Sequence, residues 1–292
     1  MKPACRVAIL GHTGRPGVRR AAAHLVTRLG KQQCEVRLDE HLAHEMGEGG
    51  VALAALARWC DVMISLGGDG TALKAARALA RRKGVVLPIN LGGLGFLTAA
   101  EEPELDAATH AAVTGAWPTV RRRLIDAHVR RRGKTAHRAL AMNDAVIKTT
   151  GGYSALHLRM TALGSDLGHL VADGVIAASA AGSTAYSLSA GGPLLAPDVE
   201  ALVVTPVCPH TLASRSLVLS SRQSVVLRVL GSFDQTMLLL DGQDRVDLAV
   251  GDEVEVTLAR ATVRLFENPA RPFARALQAK LGWQGSEKRS LS

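Results

Sequence analysis

The chain has 292 residues, with 35 lysines and arginines against 26 aspartates and glutamates, which gives a formal net charge of +9. This length predicts about two domains, each large enough to bury a hydrophobic core. Hydrophobic residues make up 47% of the chain and charged residues 21%, a composition that excludes wholesale disorder.

The sequence carries no signal for a membrane span or for secretion. Every apolar run is interrupted well before the roughly 18 residues that a spanning helix needs. The apolar segment at residues 7–10 is too short for a secretory signal and stops at Gly11. The four cysteines are scattered, without a C-x-x-C pair. We therefore expect a cytoplasmic protein with free thiols and no membrane partner.

The first part of the chain alternates strand and helix patterns. Apolar runs at residues 5–10, 61–66 and 85–89 are each followed by a glycine-bearing turn and then by Ala-, Leu- and Arg-rich sequence. The helix after the second run is predicted over residues 70–83. This alternation predicts an α/β doubly wound domain over residues 1–117, with ligands at the carboxyl ends of its strands.

The hydrophobic pattern changes in the second part of the chain. After Trp117-Pro118 the sequence consists of short segments with period-two alternation, which predicts an antiparallel β-rich domain over residues 118–264. A Gly-, Ser- and Ala-rich stretch at 178–192 interrupts this β-rich pattern and predicts a loop plus helix. Residues 265–292 return to an amphipathic helix with a polar, frayed end at 285–292, and we assign them to the first domain.

Most of the positive charge lies in one segment, between Trp117 and Arg138, which holds eight cations against the single acid Asp126. Nucleic-acid binding would require aromatic residues among these cations, and Trp117 is the only aromatic residue there. We therefore expect solvated strand edges and no nucleic-acid partner.

The sharpest local signal is the sequence Gly67-Gly68-Asp69-Gly70-Thr71, between a buried strand and a helix. Glycines let the backbone approach a phosphate, and a helix N-terminus attracts an anion. The carboxylate of Asp69 would repel polyphosphate unless a cation intervenes or Asp69 is itself a reactant. The turn therefore indicates Mg²⁺-assisted chemistry, although a simple helix N-cap is the plain structural alternative for Asp69.

Further polar and glycine-rich segments follow in a fixed order. They are residues 90–97 (NLGGLGFL), Asn143-Asp144, Asp173-Gly174, residues 182–193 (GSTAYSLSAGGP), Cys208-Pro209-His210 and Asp241-Gly242-Gln243. In this order and spacing the chain resembles the NAD kinase family over nearly its whole length. The GGDGT turn alone is shared with lipid kinases and phosphofructokinases, so the resemblance depends on the combination.

The resemblance implies an α/β N-terminal domain like those of phosphofructokinase and diacylglycerol kinase, and a β-sandwich-like, dinucleotide-binding C-terminal domain. It implies an enzyme that moves the γ-phosphoryl group of ATP to the 2′-hydroxyl of the adenosine ribose of NAD, giving NADP. Mg²⁺ or another divalent cation would be carried by ATP rather than by a resident metal site. The family also implies a homo-oligomer, either a dimer or a tetramer.

The resemblance assigns Asp69 as the proton acceptor. Asn143 and Asp144 correspond to the pair that binds ribose hydroxyls, and Tyr186 is expected to pack against a ring. The complete set of implied binding residues is Gly67, Gly68, Asp69, Gly70, Thr71, Lys74, Asn143, Asp144, Asp173, Thr184, Ala185, Tyr186, Ser187, Leu188, Ser189 and Gln243.

Three features depart from the family pattern. Ser179-Ala180-Ala181 stands where the family usually has Thr-Pro-Thr, and Asp144 stands in place of the more common Glu. The first turn, at residues 11–17, does not fit G-x-G-x-x-G.

Several alternatives stay open at this point. A lipid kinase of the diacylglycerol or sphingosine type would share the GGDGT turn, and a non-catalytic NAD(P)-binding regulator would explain the altered segment at 179–181. Taken singly, Tyr186 is also compatible with a core aromatic residue and Asn143 with a turn residue at a strand end. His210 is a turn or interior histidine in our interpretation rather than a catalyst.

Overall fold

A computed structural model describes residues 5–93, 95–151, 155–232 and 234–283 of the chain. The chain divides into two compact units, one formed by Met1–Arg121 with Val263–Ser292 and the other by Arg122–Thr262. The polar end predicted at residues 285–292 lies outside the described residues.

The first unit is built on a parallel sheet. Its strands are β1 (Arg6–Gly11), β2 (Glu35–Leu38), β3 (Val62–Gly67), β4 (Val85–Asn90) and the short β5 (Ala100–Glu101). The order across the sheet is β2-β1-β3-β4, and β5 also pairs with β4. The three predicted apolar runs form β1, β3 and β4, so the predicted α/β architecture is confirmed.

The helices of this unit bury apolar residues at helical spacing. They are α1 (Val18–Lys31), α2 (Glu40–Met46), α3 (Leu53–Trp59), α4 (Asp69–Ala78) and α5 (Leu105–Thr114), with a 3-10 turn at Glu102–Glu104. In α1, Val18, Ala22, Leu25 and Leu29 are fully buried and belong to the same apolar cluster as the sheet. The repeat of three to four residues therefore fixes which face of α1 packs on the strands.

The sheet has a topological switch point between β1 and β3. The chain leaves β1 for β2 on one side and returns to β3 on the other, so the turns after β1 and β3 meet at the carboxyl edge of the sheet. The amide of His12 donates a hydrogen bond to the carbonyl of Leu66 there, at 3.0 Å. Ligands of open α/β sheets bind at such a point.

Helix α4 is shorter than the sequence predicts. Its apolar side is as expected, because Leu73 and Ala76 are buried. The predicted extension to Lys83 is wrong, since the helix ends at Ala78 and Arg81 then adopts a left-handed φ of +62°. A residue in that conformation cannot continue a right-handed helix.

The second unit is rich in β-structure. Its strands are β6 (Thr119–Arg131), β7 (Lys134–Ala141), β8 (Asp144–Thr149), β9 (Leu156–Ala162), β10 (Ser165–Ala172), β11 (Gly174–Ala178), β12 (Ala201–Val207), β13 (Leu217–Ser220), β14 (Ser224–Gly231), β15 (Thr236–Leu240), β16 (Asp244–Leu248) and β17 (Glu253–Phe266), of which β6 begins and β17 ends in the first unit. One antiparallel sheet has the order β13-β12-β11-β8-β15-β16, and a second contains β10-β9-β14-β17. Strands β6 and β7 form an antiparallel pair.

Both sheets of the second unit contribute to one core. Leu158, Leu227 and Val256 from one sheet share an apolar cluster with Val204 and Leu238 from the other. Two sheets that share a core in this way form a sandwich, so the predicted β-rich, sandwich-like fold is confirmed. The stretch predicted as loop plus helix holds a 3-10 turn, Gly182–Thr184, and the single-turn helix α6, Tyr186–Ser189.

Four of the eight cations between Trp117 and Arg138 form ion pairs with carboxylates of this unit. Arg123 pairs with Glu200, Arg130 with Glu255, Arg131 with Asp252 and Arg138 with Asp126, at N–O distances of 2.6–2.9 Å. Glu200 is exposed, whereas Asp126 and Asp252 are buried, so the pairs of Arg131 and Arg138 are only partly solvated.

The end of the chain folds onto the first unit. Helix α7 (Phe273–Leu281) places the ring of Phe273 6.2 Å from that of Phe96, and the Nζ of Lys280 lies 4.5 Å from the centroid of Phe96. Arg271 pairs with Glu101 at 3.1 Å and with Glu104 at 2.9 Å. The C-terminal segment thus contacts Phe96, Glu101 and Glu104 of the first unit. Among the described helices, none is both long enough and apolar enough to cross a bilayer.

We expect Asp39 to be an important source of stability in the first unit. Its buried carboxylate accepts the amides of His41 and Leu42 at the start of α2 and the amide of Gly11 at the end of β1, at 3.1–3.5 Å. Asp39→Ala leaves these donors without their acceptor and should cost about 1–3 kcal/mol. Asp39→Asn keeps one acceptor oxygen and should lose less. Urea unfolding followed by circular dichroism checks this, and an unchanged midpoint for Asp39→Ala would contradict it.

Candidate active site

The GGDG turn lies at the switch point of the first unit, between β3 and α4. A Cβ added to Gly67 would lie 2.3 Å from the Oγ1 of Thr71, and one added to Gly68 would lie 2.8 Å from a guanidinium nitrogen of Arg15. The contact at Gly67 is with the buried Thr71 and disfavours any larger residue there, whereas at Gly68 the neighbour is the end of the flexible Arg15 side chain. Gly70 is exposed in the first turn of α4, where its backbone is accessible to a ligand.

The carboxylate of Asp69 is fixed by two consecutive backbone amides. Phe96 donates to one oxygen at 3.1 Å and Leu97 to the other at 3.3 Å. Gly95 makes this approach possible, because a Cβ there would lie 2.2 Å from Asp69 Oδ1. An ionised carboxylate offers about four acceptor positions, so two amide bonds orient Asp69 and leave capacity to accept a proton or contact a cation.

Asn90 shapes the turn that supplies these amides. It is buried, its Oδ1 accepts the amide of Gly92 at 3.0 Å, and its Nδ2 donates to the carbonyl of Gly93. Leu94, within the same segment, lies outside the described residues. Asn90 therefore fixes the backbone at Gly92 and Gly93.

The two remaining predicted residues of this unit differ in accessibility. Thr71 is buried beneath Gly67 and supports the turn by packing. Lys74 is exposed on α4, one helical turn after Asp69, and its ammonium group is therefore available to an anionic ligand.

In the second unit, the Asp-Gly of the DGQ motif forms the tight turn between β15 and β16. Asp241 has φ +53° and Gly242 φ +65°, and the amide of Gln243 closes the turn onto the carbonyl of Leu240 at 3.0 Å. Two positive φ values in succession define a type I′ hairpin turn, for which Asp-Gly is a preferred pair. Gln243 is exposed directly after this turn.

The turn directs the Asp241 carboxylate toward the start of β8. Its oxygens accept the amides of Met142, Asn143 and Asp144 at 2.9, 2.7 and 3.2 Å. This buried carboxylate therefore fixes the backbone of the Asn-Asp pair. Sequence analysis did not identify Asp241 as a site residue, and the Asp-Gly turn signal was the only indication of its conformation.

Asn143 and Asp144 are both buried, with 8% and 5% of their surface exposed. The Oδ1 of Asn143 is buried and has no hydrogen-bond partner among the described residues. Gly182 packs directly on this residue, because a Cβ there would lie 2.0 Å from the Asn143 carbonyl oxygen. A buried amide oxygen without a donor carries a desolvation cost, so it is suited to accept a hydrogen bond from a ligand hydroxyl.

The protonation of Asp144 is strongly shifted. Burial, followed by the negative charge of Asp241, raises the pKa of Asp144 from 3.8 to about 7. At neutral pH this carboxyl group can therefore donate a hydrogen bond as well as accept one.

The altered segment 179–181 retains one useful hydroxyl group. The Oγ of Ser179 donates to the carbonyl of Met142 at 2.6 Å and accepts the amide of Gly182 at 3.2 Å. It thereby ties the GSTAYSLS segment to the strand end that carries Asn143. Ser179 acts as a structural residue here.

Residues 184–189 divide into supporting and accessible positions. The hydroxyl of Thr184 donates to the carbonyl of Ala181 at 2.9 Å, and Ser187 is buried against Thr205 at 3.0 Å. Tyr186 is 43% exposed, so it is not a core aromatic residue. Ala185 and Leu188 are half-buried and Ser189 is exposed.

Tyr186 and Asp173 line the same cavity, which has a volume of about 420 Å³. Its walls are formed by Val146, Lys148, Thr149, Thr150, Gly151, Asp173, Gly174, Tyr186, Val207 and Cys208. The volume lies within the range of small-molecule sites. Lys148 and Cys208 were not predicted as site residues. The carboxylate of Asp173 raises the pKa of the Cys208 thiol by hydrogen bonding and by its charge.

Comparison with known proteins gives a consistent result for both units. Residues 7–116 match the family model of the ATP-NAD kinase N-terminal domain, and residues 142–267 match that of the ATP-NAD kinase C-terminal domain. An NAD kinase of Desulforamulus reducens is 34% identical over 95% of this chain and 98% of its own. An NAD kinase of Moorella thermoacetica is 37% identical over 97% of this chain and 91% of its own.

Solved structures share the fold. The crystal structure of yeast NADH kinase complexed with NADH has a TM-score of 0.90 at 26% identity, covering 99% of this chain and 91% of that one. An NAD kinase from Archaeoglobus fulgidus in complex with ATP has a TM-score of 0.72 at 23% identity, covering 93% and 98%.

The shifted pKa of Asp144 predicts a pH-dependent stability. Between about pH 4 and pH 7 the unfolded chain loses the Asp144 proton while the folded chain keeps it, so stability falls as pH rises. Asp144→Asn cannot ionise. Its stability relative to wild type should therefore increase with pH in this window, by up to about 1.4 kcal/mol per pH unit.

Urea unfolding of wild type and Asp144→Asn at about pH 5 and about pH 7 measures this difference. Asp198→Asn, at an exposed position, is the matched control. A difference between wild type and Asp144→Asn that is the same at both pH values would show that Asp144 is ionised throughout.

Proposed function

Because the chain belongs to the NAD kinase family, we propose that it transfers the γ-phosphoryl group of ATP to the 2′-hydroxyl of the adenosine ribose of NAD, giving NADP. It is a phosphotransferase, as its relatives are. The observation that carries the proposal is the oriented carboxylate of Asp69 in the glycine-rich turn at the switch point. The comparisons favour neither the lipid kinase nor the regulator, since both matched domains are those of NAD kinases.

Asp69 is proposed to accept the proton of the attacking hydroxyl. The 2′-oxygen forms a bond to the γ-phosphorus, the bond from that phosphorus to the bridging oxygen breaks, and ADP leaves. A carboxylate is a weak base, and phosphoryl transfer has a loose transition state, so correct positioning supplies most of the rate. The amides of Phe96 and Leu97 give Asp69 the fixed orientation that this requires.

The phosphates of the donor are proposed to bind at the glycine turn. Gly67, Gly68 and Gly70 let the backbone approach a phosphate closely, and Lys74 adds a positive charge from the exposed side of α4. Thr71 supports the turn from below. Mg²⁺ or another divalent cation would arrive bound to ATP and neutralise part of its charge.

The acceptor is proposed to bind the second unit. The free Oδ1 of Asn143 would accept a hydrogen bond from a ribose hydroxyl, and Asp144 would exchange one with the neighbouring hydroxyl. The cavity lined by Asp173 and Tyr186 would hold a ring of the dinucleotide. The further contacts are proposed at Thr184, Ala185, Ser187, Leu188, Ser189 and Gln243.

We also propose that the protein acts in the cytoplasm as a homo-oligomer, either a dimer or a tetramer. Support comes from the family resemblance. The single Trp, Tyr or Phe residue in the cationic stretch 117–138, Trp117, supports the proposal that the protein has no nucleic-acid partner.

Replacing Asp69 tests the proposed chemistry. NADP formed from NAD, ATP and Mg²⁺ is measured with a coupled NADP-specific dehydrogenase, and NAD binding by calorimetry. Asp69→Asn should lower kcat by at least about 100-fold because it removes the proton acceptor, with NAD affinity within about threefold of wild type. Asp198→Asn, at an exposed position, is the control. Retention of most of the rate in Asp69→Asn would exclude Asp69 as the base.

A further inference from the structure

Arg15 lies at the same switch point as Asp69 but belongs to a different segment. It follows β1 in the turn of residues 11–17, and its amide donates to the carbonyl of His12 at 3.0 Å. The neighbouring His12 is itself hydrogen-bonded to the end of β3. The topology of the sheet therefore places Arg15 beside the GGDG turn, although more than fifty residues separate them in the chain.

The guanidinium group of Arg15 spans both glycine-rich turns. One terminal nitrogen lies 2.8 Å from the position that a Cβ on Gly68 would occupy, and the other lies 2.8 Å from that of a Cβ on Gly92. Its hydrogen bond to the Oδ1 of Asn90 is long, at 3.4 Å. Arg15 therefore covers the glycine surface that a phosphate group would approach.

Among the described residues, Arg15 differs from other arginines of the first unit in its lack of a carboxylate partner. Across the described part of the chain, no carboxylate oxygen lies within 4.0 Å of its side-chain nitrogens. Other arginines of this unit are paired, for example Arg6 with Asp61 and Arg20 with Glu102, each at 2.8 Å. A guanidinium carries five donors in a planar fork that matches two oxygens of a phosphate. Within the described ranges, the Arg15 side chain uses one of these donors, in the long bond to Asn90.

We propose that Arg15 binds the terminal phosphates of the nucleoside triphosphate donor across the Gly68 and Gly92 turns. This inference rests on the proposed function and adds a residue to it. A bidentate arginine would neutralise the charge that moves onto the phosphate oxygens during transfer, so its contribution is greatest in the transition state. Arg15 is then a catalytic residue of the donor side.

Steady-state kinetics of Arg15→Ala, Arg15→Lys and wild type test the proposal. Arg15→Ala should lower kcat/KM for ATP by about 100-fold or more, mostly through kcat, while KM for NAD stays within about threefold. Arg15→Lys should recover part of the rate because it restores the charge without the planar fork. Arg19→Ala is the matched control, since Arg19 is also exposed and its carboxylate partner Glu45 lies 3.8 Å away. It should stay within about twofold of wild type.

A binding measurement separates this proposal from the proposed function. Calorimetric titration with Mg²⁺ and inorganic triphosphate should show binding to wild type and a loss of at least about tenfold in affinity for Arg15→Ala. Equal unfolding midpoints exclude a folding defect. If wild type binds triphosphate through Arg15 but forms no NADP, the site is supported and the proposed function fails. Unchanged ATP kinetics in Arg15→Ala, or a loss confined to NAD binding, overturns the proposal.

Discussion

The contact on which the first unit's site depends is the one between the Asp69 carboxylate and the amides of Phe96 and Leu97. It needs a glycine at position 95, because any side chain there would collide with the carboxylate. It also needs Phe96 in place, and the C-terminal helix supplies that restraint through Phe273 and Lys280. The orientation of Asp69 therefore depends, through Phe96, on helix α7, which lies about two hundred residues further along the chain.

In the second unit, an aspartate carboxylate likewise fixes the backbone by accepting hydrogen bonds from consecutive amides. Asp241 accepts three consecutive amides at the start of β8, as Asp69 accepts two in segment 90–97. The two carboxylates differ in their accessibility to a ligand. Asp241 is buried under the backbone that it holds, so it positions Asn143 and Asp144 and raises the pKa of Asp144 by its charge. Asp69 is only half-buried and keeps acceptor capacity for chemistry.

The features that the sequence predicts well are those encoded locally. Buried strands that end in glycine turns are visible as apolar runs followed by glycine, and the GGDG turn is a contiguous motif. The role of Asp241 depends on bonds to amides 97–99 residues away, and no periodicity reports such contacts. Arg15 was likewise missed, because only the strand order brings it to Gly68. The early end of α4 was missed since its Ala- and Arg-rich continuation has high helix propensity.

The oriented Asp69 is proposed to serve transfer to one particular hydroxyl group of a dinucleotide. Phosphorus NMR of the products formed from NAD, ATP and Mg²⁺ identifies that hydroxyl group, because it distinguishes the positions on the two riboses. We expect one new phosphomonoester, at the 2′-position of the adenosine ribose, in equal amount to the ADP released. Consumption of ATP without that phosphomonoester, or its appearance at another hydroxyl, would exclude this role for Asp69.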